Sequence, residues 1–172
     1  TSVESVFRGL APDGGLYVPE KVIPVDLTGL ENLGDAERRV LSTFFSDFPE
    51  DVREDAVKRL LSRFPAGDPV PLVKKGGFNI LELFHGRTGA FKDVALSMLP
   101  VFMRHSAGNR GVMVLAATSG DTGSAAMEGF ADVEGTKVTV LFPETGTSLV
   151  QRLQMTTCAA LNVKAIAVKG NF

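Results

Sequence analysis

The residues of this chain best placed to do chemistry lie in two short stretches. The first is residues 78–93, FNILELFHGRTGAFKD, where an apolar strand runs into a glycine-punctuated loop that delivers Lys92 to the start of an apolar helix. If that helix starts near Ala90, the face through Lys92 continues with Leu96, Leu99 and Met103, while Asp93, Ser97 and Arg104 share a more polar face. Two readings compete for the lysine. It can snorkel, with its stem on the core and its ammonium in water. Yet the first turn of a helix carries the positive end of the macrodipole, which suits Asp93 and not Lys92. An apolar wall and a helix N-terminus favour the neutral amine, the form that attacks a carbonyl, so a Schiff-base lysine is the alternative.

The second stretch is Thr118-Ser119-Gly120-Asp121-Thr122-Gly123. It joins three hydroxyls to two glycines that let backbone N–H groups converge, with a helix N-terminus behind them. Such a loop can hold a carboxylate or a phosphate. It is not a P-loop, because no Gly-Lys-Ser/Thr follows, and the third glycine of a dinucleotide fingerprint is missing. A capped helix start, with Asp121 or Thr122 as N-cap, accounts for the same residues. A Schiff-base lysine and an anion loop in one chain strengthen each other.

The elements that must position these stretches differ between the two halves of the chain. From residue 111 onward, strand and helix alternate: strand 111–117 (GVMVLAA), helix 124–131 (SAAMEGFA), strand 136–142 (TKVTVLF), helix 148–157 (SLVQRLQMTT) and strand 161–168 (LNVKAIAV). This βαβ spacing predicts an α/β fold with a parallel sheet covered on both faces. Ligands of such sheets bind at the carboxyl ends of the strands, so loops 118–123, 143–147 and 169–172 form the expected functional rim. The first half reads as helical. Ala36, Val40, Leu41, Phe44, Phe45 and Phe48 make one stripe, and Val52, Ala56, Val57, Leu60, Leu61 and Phe64 make a second. Pro49, Glu50 and Asp51 start the second helix, and the two stripes are expected to bury each other as a hairpin. Ahead of them, Pro12-Asp13-Gly14-Gly15 is a turn leading to a short extended Leu16-Tyr17-Val18 closed by Pro19. Pro65, Gly67, Pro69 and Pro71 form a linker, and two short strands around Lys74-Lys75-Gly76-Gly77 form a β-hairpin. Pro100 is expected to kink or restart the helix that follows Lys92. The resulting division is 1–68, 69–110 and 111–172.

Composition removes several classes of function. The chain has 172 residues and a net charge of -2, with 18 Lys and Arg against 20 Asp and Glu, so no field favours nucleic acid or an anionic membrane. One Tyr, no Trp and no aromatic residues interleaved with basic ones leave nothing for a single-strand binder. The longest apolar run, 112–117, is far too short to span a membrane, and the N-terminal TSVESVFRG has no apolar signal core. The single cysteine, Cys158, has no base or cation beside it and reads as a structural thiol in a reducing, cytoplasmic setting. His85 and His105 make no recognisable metal site with it.

Three stretches resemble the threonine synthases, pyridoxal-phosphate enzymes of fold type II in the tryptophan-synthase-β-like group. ELFHGRTGAFKD (82–93) resembles the family's lysine signature, ATSGDTGSAA (117–126) its substrate and cofactor loop, and GLAPDGGLYVPE (9–20) its N-terminal turn. LFPETGTSLVQRLQM (141–155) follows the family pattern too, so the resemblance covers nearly the whole chain. It implies a helical N-terminal subdomain followed by part of a parallel three-layer αβα domain. It implies that Lys92 binds pyridoxal 5'-phosphate covalently and shuttles protons, with Phe91 and Asp121 also at the cofactor. Thr118, Ser119, Gly120 and Thr122 would hold the substrate carboxylate, and His85 and Thr88 would contact substrate. Asp121 stands where many relatives have asparagine near the cofactor's ring oxygen, so it must be protonated, bridged by water or turned away. Arg87 stands where relatives often have proline. The implied reaction converts O-phospho-L-homoserine and water to L-threonine and phosphate, in a monomer or homodimer with no nucleic-acid or membrane partner. The resemblance also implies an N-terminal fragment: relatives continue beyond residue 172 with the cofactor-phosphate loop and the partner of the pyridine nitrogen, and they open with a short strand ahead of Thr1. Such a fragment is expected to be inactive alone. The alternatives are a phospholyase giving 2-oxobutyrate, a Rossmann-like anion-binding module, and a helical interaction domain built on the paired N-terminal helices.

Overall fold

The computed structural model describes residues 1–65 and 68–170. Gly67 of the expected linker and residues 171 and 172 of the third rim loop lie outside the described residues. The chain order is α1 (Ser2–Arg8), α2 (Leu33–Phe44), α3 (Glu50–Ser62), β1 (Leu72–Lys75), β2 (Phe78–Leu81), α4 (Lys92–Ala107), β3 (Val112–Ala117), α5 (Asp121–Phe130), β4 (Thr136–Pro143), α6 (Leu149–Thr156) and β5 (Val163–Val168).

The helical half forms as the stripes require, with one addition. Asn32 caps α2 by accepting the Asp35 N–H at 3.0 Å, and α3 opens directly after Pro49. The two stripes do not close on each other alone. Leu41, Phe48, Ala56, Val57, Leu60 and Phe64 share one buried cluster with Met98 and Phe102 of α4, so the lysine-bearing helix is part of their core. The rings of Phe45 and Phe48 each lie 4.9 Å from that of Phe102. Burying each such side chain is worth about 1.5–3 kcal/mol, enough to fix the tilt of α4. Leu61, counted in the second stripe, stays at the surface. The sequence showed no element at α1, which is capped by Thr1 and docks on the α2–α3 corner through Asp47; Asp47 accepts from the Ser2 hydroxyl and, at 2.9 Å, from the Val3 N–H. The turn at residues 12–15 forms, with the Gly14 N–H donating to Ala11 at 2.9 Å and a bridge from Leu10 to Leu16.

β1 and β2 pair antiparallel with Leu72 opposite Leu81 and Lys75 opposite Phe78. Gly76 and Gly77 both take positive φ, as a two-residue hairpin connection needs, so Lys74 and Lys75 belong to the strand and not to the turn.

β3, β4 and β5 run parallel in that order, as the alternation predicts. Met127 and Phe130 of α5, Met155 of α6, and Leu99 and Met103 of α4 all pack on the side of the sheet that carries Val138, Val140 and Phe142. Both crossovers therefore fall on one face, which follows from right-handed connections between strands added in a single direction. Coverage of both faces is not met among the described residues: Met113 and Leu115 on the other face are 62% and 68% exposed.

Two further expectations change. Helix α4 runs through Pro100 without a restart. Pro100 cannot donate to the Leu96 carbonyl, and α5 packs there; a Cβ on Gly129 would lie 2.2 Å from Leu96 O. Helix α5 begins at Asp121, three residues before the predicted start, with Gly120 as N-cap and no side-chain cap from Asp121 or Thr122. The glycines there read as loop signals, but they serve close packing inside the first turn.

Candidate active site

Lys92 is the first residue of α4 and is half-buried, with Phe91 at the N-cap position. Its Nζ lies 4.3 Å from the centroid of the Phe91 ring. Lys92 lines a cavity of about 470 Å³ together with Leu83, Phe91, Val94, Ala95, Leu96 and Thr122, an almost wholly apolar wall. The stripe behind it continues as expected, since Leu99 and Met103 pass into the core beneath the sheet. The polar face does not behave as expected. Asp93 and Ser97 are buried at 5% and 3% exposure, and the Ser97 hydroxyl donates to the Asp93 carbonyl.

Of the second stretch, Thr122 reaches this cavity, while Thr118, Ser119, Gly120 and Asp121 are not among the residues that line it. Thr122, in the first turn of α5 at the carboxyl end of β3, lines it together with Lys92. Thr118 is buried, and its hydroxyl accepts the Gly120 N–H at 3.2 Å, so it shapes the turn. Ser119, Asp121 and Thr122 are exposed, and among the described residues their backbone N–H groups have no hydrogen-bond partner. Three free N–H groups at a helix start can receive an anion. The Asp121 carboxylate is turned aside: Oδ1 accepts from Gln151 Nε2 at 2.7 Å. Gln151 also lies over the loop, since a Cβ on Gly120 would come within 2.4 Å of its side chain.

His85 and Thr88 do not line the Lys92 cavity. His85 Nε2 is 2.7 Å from Glu82 Oε2, its ring lies against Phe84, and it faces a separate pocket with Ser62, Arg63 and Arg87. Thr88 is committed to Asp93, donating its N–H to Oδ2 at 2.9 Å and its hydroxyl to Oδ1 at 2.7 Å. The Thr88 carbonyl in turn accepts from Gln154 Nε2 at 2.8 Å. Arg87 reaches Glu128 of α5 at 3.6 Å, and Arg63 reaches the same carboxylate at 3.9 Å. Burial, then repulsion from Arg87, lowers the pKa of Arg63 from its ordinary value.

Asp93, Gln151 and Gln154 belong to this site, although nothing in their residue types marks them in the sequence as site residues. A signal existed for one of them: Ser148 and Gln151 form a capping box, a pattern visible as Ser-x-x-Gln at the head of α6. No group of His, Cys, Asp and Glu able to hold a metal ion occurs among the described residues, and no helix there is long and apolar enough to cross a membrane.

Comparison with known proteins places these features in a family context. No family model matches the chain. It is 37% identical to threonine synthase-like 2 of Xenopus laevis over 177 aligned residues, covering 96% of this chain and 37% of the relative. It is 38% identical to a threonine synthase of Pseudomonas aeruginosa, covering 97% of this chain and 38% of the relative. Among solved structures, a PLP-bound threonine synthase from Brucella melitensis superposes with a TM-score of 0.90 at 35% identity, covering 98% of this chain and 38% of the other. The chain thus spans 37–38% of the length of these relatives.

Proposed function

The chain belongs to the threonine-synthase family, and from that premise we propose that it carries the reactive lysine of an enzyme converting O-phospho-L-homoserine and water to L-threonine and phosphate. One observation carries the proposal: Lys92 and Thr122, from separate elements, line the same apolar cavity of about 470 Å³. These residues fit pyridoxal phosphate, which needs a primary amine at the wall of a pocket that sheds water. Lys92 supplies the amine, and Leu83, Leu96 and Phe91 supply the wall. When bound, that cofactor supplies the electron sink that makes the substrate's α-carbon acidic.

The chain's own residues then divide the work. Lys92 Nζ would hold the cofactor, and as a free amine it would accept the substrate's α-proton and move the β-proton. The free N–H groups of Ser119, Asp121 and Thr122 orient the substrate carboxylate. Fixing that carboxylate selects which face of the α-carbon meets Lys92. Cys158, the single cysteine, suits a reducing cytoplasmic compartment.

A second reading is a phospholyase releasing 2-oxobutyrate, ammonia and phosphate from the same substrate, since the relatives include threonine synthase-like 2 proteins beside threonine synthases. Product analysis on the full-length protein separates the two, since only the synthase yields threonine. The shared premise is tested by borohydride reduction of full-length protein with pyridoxal phosphate, followed by mass mapping. The expected result is a pyridoxyl group on Lys92 and none in Lys92→Ala. An unmodified Lys92 would leave an anion-binding module without lysine chemistry.

A further inference from the structure

Helix α6 is absent from the cavity wall, yet it touches both halves of the site. Gln151 and Gln154 are three residues apart and so share a face of the helix. Both are half-buried, while Arg152 and Leu153 between them are exposed. Gln151 Nε2 donates to Asp121 at the head of α5, and its Oε1 accepts the Ser148 hydroxyl at 2.9 Å, which fixes the direction of the amide. Gln154 Nε2 donates to the Thr88 carbonyl at 2.8 Å, and Thr88 grips Asp93, the residue after Lys92. Directly after Gln154, Met155 is buried beneath the sheet at 1% exposure, so the helix is anchored where the amides project. Gly120 admits Gln151 at a distance no side chain at that position would allow.

We propose that Gln151 and Gln154 are positioning residues that set the separation and orientation of Lys92 and the 118–123 loop, one amide holding each. This rests on Lys92 being the cofactor lysine. A 1 Å change in that separation would misplace the substrate α-carbon relative to Nζ, a displacement to which such reactions respond steeply. The two amides have different expected effects. Loss of Gln151 loosens the carboxylate loop and weakens substrate binding. Loss of Gln154 loosens the lysine loop and slows proton transfer.

The test uses full-length protein with Gln151→Met and Gln154→Met, which keep length and lose the amide, and Arg152→Ala as an exposed control on the same helix. Amide hydrogen exchange of the cofactor-free protein is expected to quicken about tenfold over residues 86–93 in Gln154→Met and at Thr118, Gly120 and Gly123, the hydrogen-bonded amides of the 118–123 loop, in Gln151→Met, the scale of one lost hydrogen bond. In steady-state assays with O-phospho-L-homoserine, Gln151→Met is expected to raise KM about tenfold with kcat nearly unchanged, and Gln154→Met to lower kcat by a similar factor. Wild-type exchange and kinetics in both variants would overturn the proposal, as would equal effects on both segments from either one. Gln154→Glu, which keeps the size but cannot donate, is expected to match Gln154→Met. Unfolding of both Gln154 variants would also overturn the proposal, by making the residue a determinant of the fold. If wild-type Lys92 takes up no cofactor, the functional reading fails, and the exchange arm still decides whether the amides hold the loops.

Discussion

Asp93 follows Lys92 directly, and among the described residues its buried carboxylate takes side-chain and loop hydrogen bonds from Thr88 alone. Asp93→Ala leaves the Thr88 N–H and hydroxyl without their acceptor, at about 1–3 kcal/mol for each group that stays buried. Urea unfolding of the full-length protein is expected to show that loss. Asp93→Asn is expected to lose less, because its remaining oxygen can take the N–H while the Thr88 hydroxyl rotates to accept from the new amide. Equal losses in the two variants would mean that the clasp needs both carboxylate oxygens, and no loss in Asp93→Ala would mean that it contributes no hydrogen-bond energy. The sequence placed Asp93 well, as an acid in the first turn of a helix. It could not show that the loop folds back to bring Thr88 onto it. Lys92 was legible because a cation at a helix start conflicts with the dipole and invites a question. Gln151 and Gln154 raise none, since glutamine on a helix violates no local rule.

Between elements, the crossing of α4 and α5 depends on a glycine and a proline that the sequence shows as isolated irregularities. Pro100 cannot donate to the Leu96 carbonyl, and Gly129 presents a bare Cα to that same oxygen. Gly129→Ala would place a methyl 2.2 Å from Leu96 O, and backbone cannot yield there as a flexible side chain would. The helix-propensity gain from alanine is at most about 1 kcal/mol, while overpacking costs about 1–3 kcal/mol or more. A net loss of stability is therefore expected in thermal or urea unfolding, and a gain would contradict the close crossing. A second contact titrates. Burial raises the pKa of Asp47, but hydrogen bonds from the Ser2 hydroxyl and the Val3 N–H outweigh it and hold the folded value below 3.8. A depressed carboxylate stabilises α1 docking above the unfolded value, and that contribution is lost as pH falls through the folded one. Hydrogen exchange over residues 2–8 is expected to rise as pH falls below the ordinary aspartate range, and the acid step should vanish in Asp47→Asn. The strands and helices themselves were legible from apolar period and spacing. The start of α5 was not, because glycines needed for close packing look the same in sequence as glycines needed for turns.

For the molecule as a whole, alternation of strand and helix gave the parallel sheet, but which faces are covered depends on what packs from elsewhere, and that cannot be read within one segment. Helices α4, α5 and α6 cover one face, while β3 presents Met113 and Leu115 on the other at 62% and 68% exposure. The cavity at Lys92 shows the same incompleteness: Lys92 is the one cation among the residues that line it, so nothing else there neutralises a phosphate. The relatives that this chain matches are more than twice its length, since it spans 37–38% of them. These 172 residues produced by themselves are therefore expected to release no phosphate from O-phospho-L-homoserine. They are also expected to self-associate as concentration rises, since the open face of β3 is an apolar surface beside a strand edge that is unpaired among the described residues. Leu115→Lys adds a charge at an exposed position without disturbing the covered face. In sedimentation velocity it should move the population toward monomer, with the far-ultraviolet circular dichroism unchanged. Phosphate release by the 172-residue chain would show that its own residues complete the pocket, and a monomer at every concentration would show that the β3 face attracts no copy of itself.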